Sequence, residues 1–351
     1  MKGVILAAGK GTRMLPLTER RPKPLVPVLD RPMLEHIVTG ARDAGVDHFA
    51  LIVGHLGDMI REYFGDGGRL GVRITYLVQE EMKGTGAAAL LAEEFIGGEP
   101  FFMSWGDIIV PPRNYKKVIS AFEPGKTDAV LSLNWVEDPY EGAAVYVQDG
   151  FVERIEEKPP KGTAATHFNN AGLFVYTADI LDRVKTLKPS KRGEIELPEA
   201  VQQMVQEGKR IRAVELEGYW SDVARPSAVI ALNEMIMQDR YGDARGVYFA
   251  PSAKISDDSI FRPPVYVGEG CEVTDAKLGP NVVLMDGCRV EPGAEIKDIA
   301  VFTGGQVAKG AKAHDCVVEE GATVPEGAKI AGERAFPKIV CADGTIQEVP
   351  R

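Results

Sequence analysis

From about residue 246 the chain places an aliphatic or small residue at every sixth position. These anchors are Val267 and Val273; Leu278, Leu284, Val290 and Ile296; Val301, Val307 and Ala313; and Val318, Val324 and Ile330. Between the runs the step is five, so every third step falls seventeen residues on, at Val267, Leu284, Val301 and Val318. A hexad repeat taken three to a turn predicts a parallel β-helix, because each hexad buries its apolar residue only when coils stack. The fourth residue after each anchor is small or β-branched: Cys271, Val282, Cys288, Ala294, Ala300, Gly305, Ala311, Val317, Ala322 and Ala328. About five coils are expected, beginning near Ala250. Cys271 and Cys288 lie one coil apart and are read as an interior column continuing to Gly305 and Ala322, in preference to a metal or redox pair.

Upstream the rhythm differs. "GVILAA" (3–8) is a short apolar run of the buried-strand kind, and "PMLEHIVTGARDAG" (32–45) has helical spacing ending at Gly45. "HFALIVG" (48–54), "VRITYL" (72–77) and "PFFMSWGD" (100–107) read as strands, with helices expected over 57–65 and 84–96. This alternation predicts an α/β domain: a Rossmann-like, mainly parallel sheet with helices on both faces. Ligands on such sheets bind beyond the carboxyl ends of the strands, where the loop at 8–13 falls. The expected division is a domain over 1–235, a linking helix over 226–242, a β-helix over 246–335 and an unassigned tail over 336–351. Val229, Asn233, Ile236 and Met237 fall near one face of the linking helix.

The net charge of −10 argues against nucleic acid or an anionic membrane as partner, since both reward a basic surface. The apolar run Val4 to Ala8 is too short for a signal-peptide core, and no stretch reaches the length of a membrane span. Four cysteines, none in a CxxC pair, fit a reduced, cytoplasmic protein.

An anionic ligand would need a local cationic site, and "LAAGKGTRMLPLTERRPKPL" (6–25) offers one. It is not a G-x-x-x-x-G-K-[ST] loop, and Met14 stands where the dinucleotide fingerprint needs a third glycine. Gly9, Gly11 and Thr12 can present backbone N–H groups as a nest for phosphate oxygens, and Arg13 adds a bidentate cation. Pro22 and Pro24 are expected to hold Arg21 and Lys23 extended. Taken alone, the stretch also fits a plain strand-to-helix turn with solvated basic residues.

The chain resembles the sugar-1-phosphate nucleotidyltransferases, or nucleotide-sugar pyrophosphorylases. The resemblance rests on "LAAGKGTRMLPLTERRPKPLVPV" followed in order by "QEEMKGTGAA" (79–88), "WGD" (105–107), "YEGAAVYVQDGFVERIEEKP" (140–159), "FNNAGLFVY" (168–176), "GEIELPEA" (193–200) and "GYWSDVARP" (218–226). It spans roughly residues 1–235, and the repeats resemble the left-handed hexapeptide β-helix often found behind this catalytic domain. The resemblance implies an in-line displacement in which a sugar 1-phosphate oxygen attacks the α-phosphorus of a nucleoside triphosphate and pyrophosphate leaves.

Residue by residue, it assigns Leu6, Ala7, Ala8, Gly9, Gly11, Thr12 and Arg13 to the nucleotide, with Arg13 toward the β- and γ-phosphates and Lys23 on the α-phosphate. Asp107 and Asp222 would hold Mg²⁺. Gln79 would read the base, and Gly84 and Thr85 would admit it together with its ribose. Gly142, Glu157, Lys158, Asn170 and Gly172 would form the sugar-phosphate side. From the residues alone, Asp107 reads equally as a turn cap, whereas Gln79 reads first as a polar strand end and Glu157–Lys158 first as a solvated pair. "WSDVARP" departs from the family's usual W-x-D-x-G-T-P at Ala224 and Arg225, and Trp105 stands where a small or aliphatic residue is common.

The expected reaction uses UTP or dTTP. A guanylyltransferase of the same architecture is the nearest alternative, followed by a weakly active regulatory homologue. A further alternative is a second, acyl-transferring activity in the β-helix, for which His314 is the available base. A homo-oligomer assembled through the β-helix is expected.

Overall fold

The computed structural model describes residues 1–190, 192–242 and 246–349. In chain order the elements are β1 (Lys2–Ala7), β2 (Pro27–Val28), β3 (Arg31–Pro32), α1 (Met33–Asp43), β4 (His48–Val53) and α2 (Gly57–Phe64). Next come β5 (Arg73–Val78), α3 (Thr85–Leu90), α4 (Glu93–Ile96), β6 (Phe101–Trp105), α5 (Arg113–Ser120), β7 (Ala129–Trp135) and β8 (Ala143–Gln148). β9 (Phe151–Glu157), β10 (Phe168–Tyr176), α6 (Ile180–Thr186), α7 (Leu197–Gln206), β11 (Ile211–Glu215) and α8 (Pro226–Tyr241) precede the repeats. The chain forms two compact units, Met1–Lys10 with Leu34–Asp222, and Gly11–Met33 with Val223–Arg351.

The first unit is built on one sheet of order β5-β4-β1-β6-β10-β7-β11-β9-β8. β5, β4, β1 and β6 are parallel, as are β7 and β11; β10 runs antiparallel between β6 and β7. Alternating side chains serve the two faces. Val4, Phe101, Met103 and Phe174 meet the buried residues of α3, α6 and α7. Phe102 turns the other way, onto Tyr115 of α5 with ring centroids 6.1 Å apart. Gly40 of α1 admits that ring, since a Cβ there would lie 2.4 Å from it. The helix expected over 84–96 is two, because the chain breaks between Leu90 and Glu93.

The second unit contains three parallel ladders, one for each side of a coil. Strands at 247–249, 265–267, 282–284, 299–301, 316–318 and 338–340 form the first. Those at 254–255, 272–273, 289–290, 306–307 and 323–324 form the second, and those at 260–261, 277–278, 295–296, 312–313 and 329–330 the third. Val267, Leu284, Val301 and Val318 lie in the interior, with Cys271, Cys288 and Ala322, and all four cysteines are free and buried. One corner of each coil carries a glycine in the left-handed region, Gly270, Gly287, Gly304 and Gly321. Another holds Asn281, Asp298 and Asp315 at positive φ, a conformation these two residue types tolerate best after glycine.

Two of the expected interior positions are corrected. Ala300 and Val317 are buried but lie outside the coil, and Ile299 and Cys316 take the interior places. The corner between Leu278 and Val282 has three residues, whereas those after Ile296 and Ala313 have two, so the alternation shifts by one position. The outward column Val283, Ala300 and Val317 is fully buried, and α8 packs along these strands. Val229, Asn233, Ile236 and Met237 of that helix are buried.

Residues 11–33 belong to this unit as well, with Met14, Leu17, Val26, Val28 and Leu29 buried. The Leu29 amide donates to Asn233 Oδ1 at 2.7 Å, and Arg240 pairs with Asp30 at 3.1 Å. The tail forms a hairpin, in which 338–340 extends the first ladder and 346–348 runs antiparallel to it; residues 350–351 lie outside the described ones.

Candidate active site

At the carboxyl ends of β1, β4 and β6 the backbones approach closely. The Gly106 amide donates to Leu6 O at 2.8 Å, and a Cβ at Gly106 would lie 2.7 Å from that oxygen. A Cβ at Gly54 would lie 2.9 Å from Ala8 O. Leu6 and Ala7 end β1, and Ala8 and Gly9 therefore leave the sheet where only glycine fits just past the strands beside them. The loop crosses into the second unit after Lys10.

Within that unit Gly11 has φ +64, and Thr12 and Arg13 open a 3₁₀ turn (Thr12–Met14) with exposed side chains. A Cβ on Gly11 would lie 2.8 Å from Lys23 Cβ, and the Thr18 hydroxyl donates to Gly11 O at 2.9 Å. Lys23 is 8% exposed, so most of its stem is buried. It starts a 3₁₀ turn (Lys23–Leu25) instead of lying extended. The turn bonds Leu25 N to Pro22 O and Val26 N to Lys23 O outweigh the bias imposed by Pro24.

The segments that carry the two aspartates are brought together from distant sequence. Ile109 N donates to Ser221 O at 2.9 Å and Ser221 N returns the bond at 3.1 Å. This antiparallel bridge sets Asp222 beside the segment that follows Asp107, and both aspartates are half-buried. Trp220 holds the approach, its Nε1 donating to Ala171 O at 2.9 Å. Among the described residues no group of three or more His, Cys, Asp or Glu converges as a metal cage. Two carboxylates fit a hard cation that draws its remaining ligands from phosphate oxygens and water.

Gln79 follows β5, with its amide donating to Val53 O at 2.8 Å and its side chain reaching Gly84 O at 3.4 Å. Gly84, at φ +97, lies against Ile195, whose oxygen would be 2.5 Å from a Cβ there. The Thr85 hydroxyl accepts from Leu197 N at 3.1 Å. Segment 194–197 thus straps the 79–85 loop.

On the other flank, Lys158 N donates to Gly142 O at 2.7 Å, and Lys158 sits at φ +45. The Asn170 side chain accepts from Gly172 N at 3.2 Å. The ladder between β10 and β7 shifts register between Asn170 and Phe174, and Gly172, at φ +87, lies so close to Trp105 that a Cβ would meet its ring at 2.5 Å. Such a bulge re-aims side chains at a sheet's rim. Burial, with the Glu196 carboxylate adding to it, pushes Glu157 up to about 7. Arg192 lies 3.3 Å from Glu157 and binds Glu196 at 2.5 Å, offsetting part of that rise.

Sequence reasoning missed three polar residues here. Asn169 bonds Ala143 N and Asn134, and its Oδ1 would lie 2.0 Å from a Cβ on Gly142. Arg192 and Glu196 flank Glu157. The stretch "FNNAG" and the motif "GEIELPEA" contain Asn169 and Glu196, but neither spacing indicates what they touch.

The nucleotidyl transferase family profile matches residues 2–239, and a GlmU-like C-terminal hexapeptide profile matches 251–336. The low-salt glycan biosynthesis nucleotidyltransferase Agl11 of Haloferax volcanii is 34% identical over 74% of this chain and 70% of its own length. A glucose-1-phosphate thymidylyltransferase of Streptomyces griseus is 31% identical over 80% and 81%. The bifunctional protein GlmU of Methanococcus maripaludis is 36% identical over 66% of this chain, which spans 54% of that longer relative. Among solved structures, a UDP-glucose pyrophosphorylase complexed with UDP-glucose superposes with a TM-score of 0.62 at 25% identity, over 68% of this chain and 99% of that one. With its α/β sheet, its glycine-lined strand ends and its hexad-repeat β-helix, the chain belongs to the nucleotidyl transferase family.

Proposed function

We propose that the protein joins a nucleoside triphosphate, UTP or dTTP in preference, to a sugar 1-phosphate, giving an NDP-sugar and pyrophosphate. The observation that carries the reading is the Ile109–Ser221 bridge, which joins the segment that follows Asp107 to the one that carries Asp222, beyond the end of β6 next to β1. A sugar-phosphate oxygen forms a bond to the α-phosphorus, and the bond from that phosphorus to the β-phosphate bridging oxygen breaks. Both substrates are anions and the leaving group gains charge, so positioning and electrostatic stabilisation supply most of the rate.

In this reading Leu6 to Thr12 wrap the nucleotide, Arg13 holds the β- and γ-phosphates, and Lys23 holds the α-phosphate. Asp107 and Asp222 would hold Mg²⁺, which when bound neutralises phosphate charge. Gln79 reads the base, while Gly84 and Thr85 admit base and ribose. Lys158 grips the sugar phosphate. Glu157 meets a sugar hydroxyl, with Gly142, Asn170 and Gly172 shaping the space for the ring. The β-helix serves homo-oligomer assembly, and the nucleotide substrates suit the cytoplasm. No helix among the described residues is long and apolar enough to cross a membrane.

The test is a matrix of five nucleoside triphosphates against several sugar 1-phosphates, read by pyrophosphate release with Mg²⁺. UTP or dTTP should give the highest kcat/KM. A preference for GTP would favour the guanylyl alternative, and no release with any pair would overturn the reading.

A further inference from the structure

The segment carrying Arg13 and Lys23 is packed with the β-helix. Gly11–Met33 groups with Val223–Arg351, and Arg20 and Arg21 within it reach residues of that second stretch. The Arg21 guanidinium lies over the Phe302 ring, 5.6 Å from its centroid, and reaches Glu320 at 3.4 Å. Phe302 is fully buried and the Arg21 side chain is only 16% exposed. Arg20 reaches Asp343 in the tail hairpin at 3.8 Å, with both side chains exposed. An exposed ion pair contributes little, whereas a desolvated arginine stacked on an aromatic face contributes more. Arg21 is therefore the stronger tether.

From Arg21 the path to the phosphate-binding cation is short and stiff. Pro22 follows, then Lys23, whose stem is wedged against Gly11. Leu25 N closes the turn on Pro22 O at 2.9 Å. A guanidinium committed to Phe302 and Glu320 fixes the chain two residues before Lys23, and through Gly11 it fixes the start of the turn carrying Arg13.

The geometry points to Arg21 as a positioning residue: held by Phe302 and Glu320 on the β-helix, it sets the phosphate-binding arm, so the β-helix contributes to nucleotide affinity through that arm. This rests on the proposed nucleotidyl transfer. Arg21 is assigned no contact with substrate and acts through Lys23 and Arg13.

The test compares full-length Arg21→Ala, Arg21→Lys and Glu320→Gln with the unsubstituted protein, by steady-state kinetics for each substrate and by thermal melting. Arg21→Ala should raise KM for the nucleoside triphosphate about five- to tenfold, the size of a lost partly desolvated stack and ion pair, and leave KM for the sugar 1-phosphate within about twofold. Arg21→Lys, which keeps charge but loses the planar face, should fall between, and Glu320→Gln should change KM by no more than about twofold. An unchanged nucleotide KM in Arg21→Ala would overturn the proposal, as would equal rises for both substrates together with a lowered melting temperature. If the unsubstituted protein is inert with every pair, the proposed function fails. Arg21 is then judged by equilibrium binding of UTP and dTTP, where unchanged affinity overturns its role.

Discussion

The two units use polar residues in opposite ways. In the β-helix, charge is periodic and solvated: Glu272 pairs with Lys254 and Arg289, and Glu295 with Lys277 and Lys312, each partner one coil away. These lysines and arginines hold both carboxyls below their ordinary range. In the α/β unit polar groups near the strand ends, Gln79, Asn169 and Asn170 among them, are buried without repeating, and Glu157 is raised instead. A repeated contact can be read from its spacing and supports a scaffold. An unrepeated buried one has no such pattern and supports chemistry.

The contrast can be broken most sharply at the aspartates. Asp107→Ala should lower turnover at least about 10²-fold, the scale for losing a main electrostatic stabiliser, whereas His314→Ala in the β-helix should leave pyrophosphate release unchanged. Near-normal turnover in Asp107→Ala, with Mg²⁺ present, would take that residue out of the metal site. A glycine on each side comes next. Gly279 lies at φ +107 with Arg262 O only 1.8 Å from a would-be Cβ, so Gly279→Ala should destabilise the protein by about 2 kcal/mol or more in denaturant melts. Gly142→Ala collides with the Asn169 side chain instead, and should raise KM for sugar 1-phosphate while lowering the melting temperature less than Gly279→Ala does.

Smaller is the loss of selectivity expected from Gln79→Ala. Discrimination among nucleoside triphosphates should weaken more than the best rate falls, as read from kcat/KM ratios. The smallest effect is a slope. Between about 4.5 and 7 the folded protein keeps a proton on Glu157 that the unfolded chain has lost, so stability declines as pH rises through that window. The decline is at most about 1.4 kcal/mol per pH unit, and Glu157→Gln should flatten it in urea melts run across the range.

How much of this was legible in the sequence follows the same contrast. The hexad spacing was enough to place three ladders and their interior, because each coil repeats the last. It misassigned Ala300 and Val317 where one corner is a residue shorter, and it gave nothing for 338–348, where the step from Cys316 to Lys338 is twenty-two residues. At the strand ends, glycines and aspartates stood out through chemistry and resemblance. Asn169, Arg192 and Glu196 did not, since a hydrogen bond from Asn169 to Asn134 across thirty-five positions has no period to betray it. The packing of residues 11–33 with the β-helix was likewise invisible, because Arg21 and Phe302 are joined by no pattern.

The reversal of direction at the tail hairpin has a consequence for crowding among copies. A parallel stack left open at its final rung is a template on which another molecule's strand can add, and then another, toward a filament. By laying 346–348 antiparallel on 338–340, with Lys338 and Glu348 paired across the join, the chain replaces the parallel rim of that ladder with a three-residue antiparallel edge, on which a further coil cannot continue the parallel register.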